Sequence, residues 1–132
     1  MSKLFKIFLR WLPALIMMIV IFLFSAQSAS RLPDFGWPDR FIKKSGHVMG
    51  YAILAFLYWR ALEFGEDRRW AAWLLALLYA LTDEFHQSFV AGRHPTIWDV
   101  ILFDNLGTLI SLWSVARYRK QKRPDPYHPI VR

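Results

Sequence analysis

Between Trp11 and Ser30 the chain runs for twenty residues without a charged side chain. At ~1.5 Å per residue, a helix of that length covers the ~30 Å hydrocarbon core of a bilayer. Three more apolar runs follow. The second starts at Ser45 and, His47 apart, meets no charge until Arg60. The third, Trp70 to Thr82, has only thirteen residues before Asp83, and the fourth, Ile97 to Ala116, contains Asp99 and Asp104. Thirteen residues rise only about 20 Å. To span, the third helix must continue through Asp83, Glu84, His86 and Gln87, and the fourth must take in its two aspartates. An ionisable group at the centre of a spanning helix costs about 2.5–3.5 kcal/mol, so such groups face other helices or water and count as functional candidates.

The expected fold is all-α, a polytopic antiparallel bundle of four transmembrane helices over residues 8–28, 45–62, 70–89 and 96–117. It forms one domain over residues 1–116, followed by a basic, disordered cytoplasmic tail at 117–132. Composition agrees. A hydrophobic share of 55% in 132 residues is more than a soluble domain of this size could bury. The absence of cysteine excludes disulfides, thiolate metal sites and cysteine nucleophiles. Pro13 is placed in the first turn of helix one, and Trp11, Trp37, Trp59, Trp70 and Trp98 near run ends suit interfacial belts. Lys3, Lys6, Arg10 and the apolar stretch up to Ser25-Ala26-Gln27-Ser28-Ala29 resemble a cleavable signal peptide, but three further apolar runs favour a retained anchor.

The net charge of +7 does not point to nucleic acid, because Lys and Arg sit at the ends of apolar runs and suit anionic lipid headgroups. Twelve fall on the side of both termini and five on the other, which orients the N- and C-termini to the cytoplasm. Alternating helices then deliver their polar residues to one leaflet. Ser25 and Gln27 end helix one, and Lys44, His47 and Tyr51 begin helix two. Asp83, Glu84, His86 and Gln87 end helix three, and Asp99, Asp104 and Asn105 begin helix four.

Within this group His47 and Tyr51, and Asp83 and Gln87, are spaced four apart and share helix faces, with Tyr79 one turn further in from Asp83. Gly92-Arg93-His94-Pro95 reads as a tight loop presenting a guanidinium fork suited to carboxylate or phosphate. Thr96-Ile97-Trp98-Asp99 resembles a capping box, so Asp99 is either a helix cap or a site residue. Asp104 lies too deep to cap anything and must pair; Gly107, one turn on, allows another helix close approach. No two histidines have a zinc-type i, i+4 spacing, and no phosphate loop, dinucleotide pattern or nucleophile elbow is present, so no metal or other cofactor is expected.

Phe24-Ser25-Ala26-Gln27, Lys44-Ser45-Gly46-His47 with Tyr51, Asp83-Glu84-Phe85-His86-Gln87, Gly92-Arg93, Asp99 and Asp104-Asn105-Leu106-Gly107 together resemble the VanZ-like family, over about residues 11–116. The resemblance implies a four-helix protein of the bacterial plasma membrane, from a family whose founding member is linked to low-level teicoplanin resistance. Two departures stand out. Lys43 occupies a position where the family often has an acid. Asp99 and Asp104 are five apart where the family spaces its pair by four. In an α-helix five residues turn the second side chain by about 140° rather than 40°, which puts in question whether the two aspartates act together.

Three readings follow. In the first, the site binds or modifies an envelope lipid or lipid-linked headgroup. Arg93 and Lys44 hold an anionic group, Gln27, Gln87 and Asn105 orient it, and His47 or Glu84 acts as general base with Asp83 tuning it, giving a lipid-directed hydrolase or transferase. In the second, the polar cluster is structural and the protein works through a partner. In the third, weaker reading, Asp104, Tyr79 and Asp83 carry protons or ions.

Overall fold

A computed structural model describes residues 2–28, 37–94 and 96–122, with the side chains of 37–43 excepted. Four helices form among these residues: α1 (Lys3–Ser25), α2 (Trp37–Ala61), α3 (Arg69–Gln87) and α4 (Ile97–Gln121). No strand is present among the described residues. Helix α2 sits at the centre, packing against all three others, while α1 rests on α2 and α3. Side-chain pairing fixes the alternation of direction. The end of α1 meets the end of α3, and the start of α2 meets the start of α4.

Helices α1 and α4 are long and apolar enough to cross a membrane. Helix α3 ends at Gln87, so its 19 residues rise about 28 Å and take in Asp83, Glu84 and His86 as the length argument requires. Helices α1 and α2 both start before their expected positions. Ser2 caps α1, its hydroxyl accepting from Phe5 N at 3.3 Å, and so places Pro13 well inside the helix rather than in its first turn. Helix α2 begins at Trp37 and carries the Arg40–Lys44 charges within it; a hydropathy run marks where a helix is apolar, not where it starts. The Arg31 and Pro95 positions, the Trp37, Arg40 and Lys43 side chains and the tail beyond residue 122 lie outside the described residues.

The core is a narrow seam of small and aromatic residues. On α3, Ala72, Ala76, Ala80, Asp83 and Gln87 recur every three or four residues and bury one face. Opposite them lie Tyr51, Leu54, Ala55, Tyr58 and Trp59 of α2. Trp59 is buried rather than interfacial, its indole donating to Gly65 O at 2.8 Å, whereas Trp70 and Trp98 stay exposed. Large apolar side chains such as Ile16, Ile19, Leu23, Leu102 and Ile110 point outward, the pattern of a chain whose solvent is hydrocarbon.

The end away from the polar cluster is closed by Arg10 paired with Glu63 and by Arg119 lying 4.4 Å from the Phe64 ring centroid. Glu63 and Phe64 take left-handed backbone angles, φ 62° and 54°, which turn the chain sharply and seat Phe64 against Trp59 and Phe56.

Helices α2 and α4 meet at Gly107, where a Cβ would fall 2.0 Å from Val48 O. A side chain there collides with main chain, not with a movable rotamer. Gly107→Ala is expected to cost about 3 kcal/mol, the upper end of ordinary overpacking, read as a lowered melting temperature of the detergent-solubilised protein.

Candidate functional site

The polar residues converge at one end of the helices, where two buried carboxyl groups organise the rest. Asp83, 3% exposed, accepts from Ser25 Oγ at 2.7 Å and from Gln87 Nε2 at 3.1 Å. Gln87 Nε2 also donates to Ser25 Oγ at 3.3 Å, closing a triangle that ties α1 to α3. Asp104, 2% exposed, lies 3.2 Å from His47 Nδ1 and ties α4 to α2. Tyr51 stands between the two centres. Its ring stacks with His47 at 6.1 Å, and its buried hydroxyl lies against Asp83 without meeting hydrogen-bond geometry. Asp83 Oδ1 is likewise buried with no hydrogen-bond partner.

Of the two readings open for Asp99, the cap is not formed. Thr96 makes no side-chain cap, and Asp99 Oδ1 instead pairs with Lys44 Nζ at 3.1 Å. Lys44 and His47 are three apart on one face of α2, so Asp99 and Asp104 address the same surface after all. The reason is a π turn over Val100–Asp104, in which Asn105 N bonds back to Val100 O. A π turn takes up one more residue than an α turn, so the spacing of five that separates two side chains on an α-helix brings them toward one face here.

Other candidates are placed differently from the sequence expectation. Arg93 donates through Nε to Gln27 O and through Nη2 to Phe24 O, both at 3.3 Å. The guanidinium thus caps the carbonyl end of α1, whose last turn carries no basic residue of its own. Gly92, at φ 75°, supplies the left-handed turn that aims it. Gln27 lines the site edge and contributes its carbonyl here. Glu84 turns away from Asp83 and accepts from Thr96 N, holding the start of α4. His86 leaves the cluster to pack on Phe22, ring centroids 4.4 Å apart. Asn105 accepts from Trp73 Nε1 at 2.8 Å rather than joining Gln87. Tyr79, one turn below Asp83, donates to Met18 O at 2.6 Å.

Against this network opens a cavity of about 470 Å³ between α1 and α2. Ser25, His47, Tyr51, Gln27 and Arg93 form its polar end, and Met17, Val20, Ile21, Met49 and Ile53 its apolar walls. Gly50 and the methionines were not expected to belong to a site. Gly46 and Gly50, four apart, carry the signal: two missing side chains on one helix face either admit a neighbour or leave space. At Gly46 a Cβ meets nothing within 4 Å, whereas at Gly50 it would meet Ile21 and Met17 at 3.6–3.8 Å, so Gly46 leaves space and Gly50 admits α1.

The family profile VanZ/LLP1 matches residues 8–118, nearly the whole described fold. The chain belongs to the VanZ/LLP1 family. Within that family it is similar to the uncharacterized membrane protein YwnJ of Bacillus subtilis (strain 168), 32% identical over 91 residues. The match covers 68% of this chain and 61% of YwnJ, so the chain spans less than two thirds of that relative's length. No solved structure matches it. The two buried acid centres and the cavity thus belong to a membrane protein of the VanZ/LLP1 family, and every element of the site lies inside the matched residues.

The π turn makes an unusual forecast. Deleting exposed Leu102 converts it to an α turn and leaves Asp99 and Asp104 facing α2, so this VanZ/LLP1 variant is expected to melt within a few degrees of the parent. Deleting equally exposed Leu109, in regular α-helix, rotates buried Leu112 by about 100° and is expected to prevent accumulation, as read by membrane immunoblot and thermal melts.

Proposed function

We propose that this VanZ/LLP1 protein crosses the bacterial plasma membrane four times, with both termini in the cytoplasm, and binds an amphipathic envelope lipid in the α1–α2 cavity from the outer leaflet. The observation that carries this reading is the cavity's two-part lining. Apolar walls from Met17 to Ile53 suit a hydrocarbon chain, and the Ser25, His47 and Tyr51 end suits a polar head. Its volume of about 470 Å³ sits in the range of ~300–1,000 Å³ typical of small-molecule sites. Envelope lipid handling is also the setting in which a contribution to teicoplanin resistance makes physical sense, since a glycopeptide acts outside the membrane.

Chemistry at the site is favoured by one specific contact. Asp104 holds His47 Nδ1, leaving the other ring nitrogen as the group that could take a proton from water or a lipid hydroxyl. Asp104 then has the orienting role that the sequence suggested for Asp83, and His47 rather than Glu84 is the base, since Glu84 is engaged with Thr96 N. The non-enzymatic reading, in which the network sets helix packing for a partner-binding role, draws on the Ser25–Asp83–Gln87 triangle. Proton or ion movement has less support, since below Tyr79 the seam of α3 is alanine.

Two measurements test the proposal. The chain has no cysteine, so single-cysteine variants report cleanly. Ala91→Cys is expected to react with an impermeant maleimide on intact cells, and Asp67→Cys only after permeabilisation; labelling of both from outside overturns the topology. Wild-type protein extracted in native-membrane discs is expected to carry about one lipid per chain by mass spectrometry, and Gly46→Leu, which grows into open space, to lose it while still accumulating and melting cooperatively. Retention of the lipid by a folded Gly46→Leu protein overturns the cavity assignment.

A further inference from the structure

The end of the bundle away from the buried acids has a groove of its own. It opens between the ends of α2 and α4 and encloses about 410 Å³. Phe56, Phe64 and Val115 give it apolar walls, and Ser114, Tyr118 and Arg119 a polar rim. Ser114 and Tyr118, like Val115 and Arg119, are four apart, so one face of α4 supplies that side. The left-handed turn at Glu63 and Phe64 supplies the other, because it folds Phe64 back beside Phe56, ring centroids 5.7 Å apart. Charge at this end is lopsided. Among the described residues ten Lys and Arg side chains gather here against Glu63, Glu66 and Asp67. Arg10 is answered by Glu63. Three cations of α4 rest on rings instead: Arg117 lies 5.3 Å from the Trp113 centroid, Arg119 4.4 Å from Phe64 and Lys122 5.0 Å from Tyr118. A ring face steadies a cation without spending its N–H groups. Arg119 has neither an acid nor a hydrogen-bond acceptor among the described residues. A rigid fork of donors therefore stands unspent at the rim of an apolar groove, a shape that phosphate takes two bonds at a time.

We infer that this groove seats an anionic phospholipid of the leaflet on this side, its phosphate on the Arg119 guanidinium and one acyl chain along Phe56 and Val115. This rests on the four spans proposed above and not on what the α1–α2 cavity holds. The occupant is a lipid rather than soluble phosphate, because the walls are hydrocarbon that an acyl chain covers and a bare ion leaves exposed. Its head is anionic because the surplus of Lys and Arg favours net negative charge over a head that brings its own cation. The Ser114 and Tyr118 hydroxyls on the same rim offer further donors to the phosphate oxygens.

The full chain in mild detergent is offered equal amounts of dioleoyl phosphatidylglycerol and dioleoyl phosphatidylcholine, and the lipid it retains is read by native mass spectrometry. Phosphatidylglycerol is expected to be retained about fivefold over phosphatidylcholine. Arg119→Gln is expected to erase that preference. Lys120→Gln removes the same charge next door, outside the groove lining, and is expected to change the ratio by less than about twofold. Ser114→Phe grows from an exposed position into the groove with every charge in place, and is expected to abolish the preference in a protein that still melts cooperatively. Equal retention of the two lipids by wild type overturns the assignment, whatever the cysteine labelling says of the spans. Equal losses in Arg119→Gln and Lys120→Gln overturn it too, reducing the groove to the diffuse pull of a basic surface. Displacement of the lipid by inorganic phosphate overturns the lipid as occupant, and a preference that vanishes in Gly46→Leu belongs to the α1–α2 cavity and overturns the groove.

Discussion

Hydrocarbon offers no hydrogen bonds, so a carboxyl group buried between helices must be answered by side chains of those helices. Asp83 and Asp104 impose that requirement twice. Asp83 draws its donors from α1 and from one turn along α3, and Asp104 draws His47 from α2. Each acid can be satisfied only if the correct helix ends meet at the correct height. The pairing of α1 with α3, and of α2 with α4, follows from this need as much as from apolar packing, which in a lipid solvent drives helices together only weakly. Tyr51 joins the two centres, touching His47 on one side and Asp83 on the other.

How far this was readable in advance depends on the range over which each signal acts. The Asp83–Gln87 pair is a property of one helix, and a spacing of four placed both on one face. Gly107 announced a close approach because a residue without a side chain inside a helix has few other uses there. The length deficit of the third apolar run correctly drew its acids into α3. Arg93 was harder. Its type and its loop were plain, but whether a guanidinium meets a ligand or a neighbouring helix end depends on a fold two helices away. Asn105 and His86 failed for the same reason, each finding a partner, Trp73 or Phe22, on another helix.

The most instructive case is the spacing of Asp99 and Asp104. Reading five residues as a rotation assumes an unbroken α-helix. One additional residue in such a helix has two outcomes: everything beyond it rotates, or the extra residue is taken up locally as a π turn. Here the local solution is adopted over Val100–Asp104, and the constraints beyond it show why. A rotation would carry Asp104 off His47 and push Gly107 away from Val48, losing the buried pair and forcing a side chain against a main-chain carbonyl. A slightly irregular turn is the smaller cost, and it lets Asp99 reach Lys44 while Asp104 keeps His47.

The Gly107 contact also bears on how anything reaches the cavity. With main chain pressed on main chain, α2 and α4 can neither slide nor roll past one another without separating, and they behave mechanically as one strut. Helix α1 is held in another way. Its seam is built of Ala14, Ile21 and Ser25 with Met17 and Met18 alongside, and its far end is fastened by hydrogen bonds, from Ser25 to Asp83 and from Arg93 to two carbonyls. Methionine thioethers flex where glycine contacts do not. The yielding wall of the chamber is therefore α1, latched by a guanidinium on two carbonyl oxygens and by the Ser25 hydroxyl on Asp83, and under the proposed lipid reading a guest would enter by parting α1 from a rigid α2–α4 post.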